Sequence, residues 1–390
     1  MYKIKTFNKI AKEGLTQLGE NIRVDKGEDY DGVILRSYNL HEEKLSDNCK
    51  VVVRAGAGVN NVPVDSCTEK GIVVMNTPGA NANAVKELVI ASLIMTARNL
   101  DKATDWVQTL KDKNVDVAKT VEKEKSNFKG NELQGKRVGV IGLGAIGVLV
   151  ANALYELGME VYGYDPYLSI EHAWSINKNI NRSYDIERIF QRCDFVTIHV
   201  PLLESTKNLV NEQVLRNAKD GIKVLNLARG GLVDEDAILK AVEDGSVSYY
   251  VTDIPNEKVL GKENVICIPH LGASTVESEA NCAVMAGKEI RDFLENGNIK
   301  NSVNFPECDL GAMASNARIC IIHKNVPNMV GQISSLLASN DVNIANMINK
   351  SRGENAYTMI DVDNDVNDYI EKTLKEVEGI TSVRILKNDK

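Results

Sequence analysis

A chain of 390 residues exceeds what one hydrophobic core supports, so the sequence implies two or three domains. Its 43% apolar and 26% charged fractions exclude a disordered chain, and a net charge of −8 leaves no electrostatic footprint for nucleic acid. Seven scattered cysteines, odd in number and never in a C-x-x-C pair, read as reduced cytoplasmic thiols with no metal site, and neither a secretory leader nor a membrane-length apolar run is legible.

The first hundred residues alternate strand-like and helix-like segments: strands at 4–7, 32–36, 51–54 and 72–76, and a helix at 11–18. A long apolar helix without Gly or Pro is expected at 84–100, and the mixed Lys/Glu run at 111–125 reads as a solvated helix face. A second α/β series follows, with strands at 138–141, 160–164, 195–200, 224–228, 249–253 and 265–268, separated by helices as a parallel sheet requires. The helix expected at 275–295 returns toward the first domain, where 301–305 could add a strand. Residues 317–387 read β-α-β-β-α-β, the ferredoxin-like order. The fold class is therefore α/β, with two Rossmann-like or flavodoxin-like parallel-sheet domains and a ferredoxin-like C-terminal domain. The boundaries expected are 1–98 with 286–305 for a substrate-binding domain, 99–285 for a dinucleotide domain, 306–316 for a linker and 317–390 for the C-terminal domain.

The strand at 138–141 runs directly into Gly142-Leu-Gly144-Ala145-Ile146-Gly147 and a helix. Gly142 suits the tight turn, Gly144 a close backbone approach to a pyrophosphate, and Gly147 the packing of helix on strand; the amides of the helix N-terminus would take the phosphates. Asp165 ends the next strand, where a carboxylate can bond both ribose hydroxyls of an adenosine. It would repel a 2′-phosphate, and no Arg or Lys follows in 166–170, so the expected cofactor is NAD.

Three segments then place an Arg, a Glu and a His at strand ends: Asn226-Leu-Ala228-Arg229-Gly-Gly-Leu-Val-Asp234, Asp253-Ile-Pro-Asn-Glu257 and Pro269-His270-Leu-Gly272. The crevice outside the carboxyl ends of a parallel sheet is where ligands bind. Together with the glycine motif, these segments resemble the D-isomer-specific 2-hydroxyacid dehydrogenase family in order and spacing. The resemblance implies that Arg229 holds the substrate carboxylate, that His270 is the general base and that Glu257 orients its ring, although the Asp253–Glu257 segment is one residue shorter than the family pattern. It also implies cofactor contacts from Pro201, Ala228, Asp253, His270 and Gly272. His199 is a competing histidine, read as structural.

Arg36 and Arg54, at the ends of two strands of the first domain, look placed for an anion, beside a loop at Gly56-Ala57-Gly58 that resembles the family's carboxylate-binding loop. Asn81 begins a stretch that contacts the nicotinamide end in relatives; Lys86 replaces a small residue there. The implied reaction is NAD-dependent oxidation of D-3-phosphoglycerate to 3-phosphohydroxypyruvate. The alternatives are another 2-hydroxy acid, with glyoxylate or hydroxypyruvate as the oxo partner, or an NAD-sensing binding protein of the same fold.

His323-Lys-Asn325-Val-Pro-Asn-Met-Val followed by Asn343 resembles the ACT regulatory domain. That likeness implies an L-serine site made by His323 and Asn325 of one subunit and Asn343 of its neighbour, in a homodimer or homotetramer. Asn328 stands where a glycine is common.

Overall fold

The computed structural model describes residues 1–388 apart from 112 and 365. The chain forms two compact units, Met1–Asn81 with Val276–Lys390, and Ala82–Thr275.

The first unit holds a parallel sheet of β1 (Tyr2–Phe7), β2 (Ile22–Val24), β3 (Gly32–Leu35), β4 (Val51–Arg54) and β5 (Val73–Asn76), in the order β2-β1-β3-β4-β5. The helix Val276–Asn296 lies against this sheet. Gly14 and Gly287 allow the chain to approach that helix closely: a Cβ on Gly287 would come within 2.2 Å of the Gly14 carbonyl oxygen.

The second unit carries β6 (Arg137–Ile141), β7 (Glu160–Tyr164), β8 (Asn181–Arg182), β9 (Phe195–Ile198), β10 (Ile222–Asn226), β11 (Val247–Thr252) and β12 (Val265–Cys267). All pair in parallel, in the order β12-β11-β10-β9-β6-β7-β8, a doubly wound sheet. The division between the units falls a helix earlier than the sequence places it. Helix Ala82–Ala97 buries Val85, Val89 and Leu93 in the core of the second unit, so it belongs there. The solvated run condenses to the helix Val117–Glu124, which buries nothing and is capped by the Asp116 carboxylate; position 112 of that expected helix lies outside the described residues.

The C-terminal part is antiparallel: β13 (Ala317–Lys324), β14 (Ile344–Arg352), β15 (Asn355–Val362) and β16 (Ile380–Lys387), in the order β14-β15-β13-β16. One face of this sheet packs with helices Met329–Ser339 and Asp368–Lys375. The opposite face joins the core of the first unit through Cys320, Ile322, Tyr357, Met359 and Leu386. Arg318, fully buried, pairs in bidentate fashion with Asp361 at 2.6 and 2.9 Å and donates to the carbonyls of Asn296 and Gly311, both at 2.8 Å.

Two expectations change here. Residues 306–316 are no loose linker: Pro306 and Cys308 are buried, Ile299 and Cys308 exchange backbone bonds, and the Asn298 side chain accepts from the Leu310 amide. Residues 301–305 form no strand, only a bridge between Met75 and Ser302. Asn301 adopts a left-handed φ of 51°, and the Asn304 side chain takes the Val74 amide that a strand would have used.

Candidate active site

β6 is buried along all but its first residue and delivers the chain into the glycine turn. Gly142 has φ 90°, and a Cβ there would lie 2.5 Å from the His199 carbonyl oxygen; one on Gly147 would lie 1.8 Å from the Gly142 carbonyl. Those two glycines are required by the packing. Gly144 is different: a Cβ would meet nothing within 4 Å, and its φ of −74° suits any residue. The space beside Gly144, at the start of helix Ala145–Glu156, where no side chain among the described residues caps the first amides, is what a dinucleotide pyrophosphate needs. Asp165 braces the turn, its two oxygens accepting from the Leu143 and Tyr167 amides at 2.8 Å each, and every oxygen keeps a lone pair for a ribose hydroxyl. Gly144→Ala is therefore expected to leave the melting temperature unchanged while weakening NADH binding by about tenfold or more, roughly 1.4 kcal/mol, in a fluorescence titration.

Arg229, Asp253 and His270 follow the carboxyl ends of β10, β11 and β12. The buried Asn226 side chain shapes the first turn, accepting from the Ala228 amide and donating to the Arg229 carbonyl at 2.9 Å, which leaves Arg229 exposed. Asp253 is 1% exposed, and neither of its carboxylate oxygens has a hydrogen-bond partner among the described residues. Burial raises its pKa, opposed first by the charge of His270, then by the Asp253 and Gly272 amides, which form no bond of normal geometry with it, and last by Arg229. A buried pair of acceptors without donors is out of keeping with folded interiors. The amide NH₂ of a nicotinamide is the kind of donor this carboxylate lacks, so the residues present fit NAD at both ends.

His270 and Glu257 are exposed, and no hydrogen bond joins them among the described residues. The short loop explains this: Asn256 and Lys258, on either side of Glu257, both tie back to helix Glu235–Glu243, through Glu235 at 2.5 Å and Asp236 at 2.9 Å. Pro201 lies exposed beyond β9. His199 bonds the Thr197 hydroxyl at 3.0 Å through Nε2, and burial pushes its pKa down to about 4, so it stays neutral at physiological pH.

In the first unit, Arg36 and Arg54 extend from the ends of β3 and β4. Arg54 Nε donates to the Arg36 carbonyl at 3.1 Å, and its guanidinium covers Gly56, where a Cβ would come within 2.0 Å of Nη1. Asn76 holds the Ala57 carbonyl at 2.6 Å, which fixes the loop through Gly58. Arg36 is committed to an ion pair with Glu279 at 2.7 Å, both side chains partly exposed. The sequence reading missed that pairing, as well as Asn61 and Thr77, whose buried side-chain oxygens, like that of Asn81, lack partners among the described residues. Lys86 donates to Asn83 at 2.6 Å.

Of the residues expected at a regulatory site, His323 is 2% exposed, its ring bridging the Lys324 carbonyl and the Thr358 hydroxyl at 2.8 Å each. Asn325 donates to the Gly353 carbonyl at 3.1 Å, just beyond one end of β14, whereas Asn343 precedes the other end. One chain does not bring the three together. Asn328 has φ 66°, the left-handed region, which explains why glycine is common there and why Asn can replace it.

Residues 90–272 match the family model "D-isomer specific 2-hydroxyacid dehydrogenase, NAD binding domain". Over these residues the chain is similar to the D-isomer specific 2-hydroxyacid dehydrogenase family. Its cofactor is NAD. The chain is 36% identical over 311 residues to D-3-phosphoglycerate dehydrogenase of Homo sapiens, covering 76% of this chain and 56% of the relative. It is 32% identical over 340 residues to the protein of that name from Methanocaldococcus jannaschii, covering 85% and 62%. The chain thus spans a little over half the length of the curated relatives it matches. An NAD⁺-bound 3-phosphoglycerate dehydrogenase of Entamoeba histolytica superposes with a TM-score of 0.60 at 28% identity, over 78% of this chain and 98% of that one. The D-mandelate dehydrogenase of Rhodotorula graminis, at 20% identity and a TM-score of 0.66 over 80% of this chain and 99% of that one, shares the fold.

Proposed function

We propose that the protein oxidises D-3-phosphoglycerate to 3-phosphohydroxypyruvate, acting in the cytoplasm as a homodimer or homotetramer that L-serine inhibits. The single observation that carries the dehydrogenase reading is the grouping of Arg229, buried Asp253 and His270 at neighbouring strand ends of the sheet that bears the glycine turn. NAD supplies the hydride acceptor. Arg229 presents a planar guanidinium to the substrate carboxylate and draws charge toward the reacting oxygen. His270 takes the hydroxyl proton on a ring nitrogen, and Glu257, exposed in the loop after β11, accepts from the other once substrate is bound. The phosphate reading rests on Arg36 and Arg54, two cations linked through the Arg36 carbonyl.

NADH oxidation by the purified protein with 3-phosphohydroxypyruvate, set against glyoxylate and pyruvate and repeated with millimolar L-serine, tests both levels. Preference for the phosphorylated acid and suppression by serine are expected. Turnover of the unphosphorylated acids alone removes the phosphate reading, and turnover of none removes the enzyme. Because Glu279 competes for Arg36, Glu279→Gln is expected to lower KM for 3-phosphohydroxypyruvate by up to about fivefold, in keeping with the 0–1 kcal/mol of an exposed ion pair. The KM for glyoxylate stays unchanged, and a parallel shift in both rules out phosphate binding by Arg36.

A further inference from the structure

The first unit contains a cavity of about 460 Å³ between the segment that follows helix Val276–Asn296 and the end of edge strand β14. Asn301, Ser302 and Glu307 line one side, and Lys350, Ser351 and Arg352 the other. Side chains alternate along a strand, and Ile348 packs into the core of the first unit. Lys350 and Arg352 therefore lie on that same face, where it runs past the edge of the core. His323 and Thr358, bonded to each other, lie on the opposite face with Ile321 and Ile360, which join the helix-side core. The cavity is thus separate from the residues proposed to hold serine.

Its charges are built in and unspent. Arg352 is positioned by one bond, Nη1 to the Ser302 carbonyl at 2.7 Å, and its other donors remain. The side chains of Lys350 and Glu307 have neither a hydrogen bond nor an ion pair among the described residues. Lys300, close by in sequence, is already neutralised by Asp292 at 3.2 Å and Asp309 at 3.0 Å. Asn301 is held by its side chain, which donates to buried Glu289 at 2.6 Å. The wall therefore offers two cations and one carboxylate. A simple dianion would meet Glu307 unfavourably, and a neutral zwitterion would leave one cation unmatched.

We propose that this cavity binds a small α-amino acid carrying a second acidic group, with the ammonium on Glu307 and the two acidic groups on Lys350 and Arg352. The complement of charge is then complete, and the volume falls within the range of small-molecule sites. Such a ligand ties the edge strand of the C-terminal sheet to the segment leaving helix Val276–Asn296.

Isothermal titration of the purified full-length protein tests this with L-glutamate and L-aspartate, using glutarate, which lacks the ammonium, and glycine, which lacks the second acid, as comparators. At least one of the two acidic amino acids is expected to bind saturably, at least about tenfold more tightly than either comparator. Glu307→Gln and Lys350→Ala change exposed side chains; each is expected to weaken that binding about tenfold, with NADH affinity and melting temperature unchanged. Glu307→Gln also erases the preference over glutarate. No saturable binding of either amino acid, glutarate binding as tightly as glutamate, or undiminished affinity in both variants overturns the proposal.

Discussion

His270→Gln is expected to lower kcat by about 10²- to 10⁴-fold, the usual worth of a positioned general base, with NADH affinity unchanged. The side chain is exposed at the end of β12 and supports no packing, so the variant folds. Glutamine fills a similar volume and offers a hydrogen bond, but it cannot hold the proton that leaves the substrate hydroxyl. Steady-state rates paired with a fluorescence titration of NADH separate the two effects. A loss under tenfold with intact binding takes His270 out of proton transfer. Glu257→Gln in the same assay is expected to cost less, about tenfold in kcat with little change in KM, because an orienting group acts only through the imidazole. Should that variant match the parent while Asp253→Asn loses most of the activity at full NADH affinity, the buried aspartate is the group that positions His270.

What the sequence makes legible follows burial. A strand enclosed on both faces reads as a continuous apolar run, so Val51–Arg54 emerges with the bounds the sequence suggests, and Glu160–Tyr164, buried on alternate residues only, emerges from its alternation. The strands Ile22–Val24 and Asn181–Arg182 have no such signature; they sit at sheet edges and are largely exposed. The glycine turn and Asp165 are likewise local, one turn and one strand end. Nonlocal facts are different. Arg318 would be taken for a solvent-facing strand residue, and only its fork onto Asp361 and two distant carbonyls explains its complete burial. The ion pair of Arg36 with Glu279 joins strand β3 to a helix from the far end of the chain. The docking of the C-terminal sheet on the first unit depends on which face carries Tyr357, whose hydroxyl donates to the Gly297 carbonyl at 2.8 Å. Neither is visible in periodicity.

Stability should also fall as pH rises, and the residue responsible should be Glu289. It is 7% exposed in helix Val276–Asn296, with one carboxyl oxygen unpartnered among the described residues and the other accepting from Asn301. Burial pushes its pKa from 4.5 up to about 8, against smaller opposing effects of Asn301 and Lys300. Between those two values the folded chain holds a proton that the unfolded chain has released, so stability declines with pH throughout that window and is level above it. At ~1.4 kcal/mol per pH unit the full span amounts to roughly 4–5 kcal/mol, an order-of-magnitude figure. Glu289→Gln keeps an acceptor for Asn301 and removes the titration. The variant should match the parent in denaturant unfolding near about pH 5 and exceed it by several kcal/mol near about pH 8. Parallel pH profiles for the two proteins would show that Glu289 is ionised in the fold, its burial outweighed by Asn301 and Lys300.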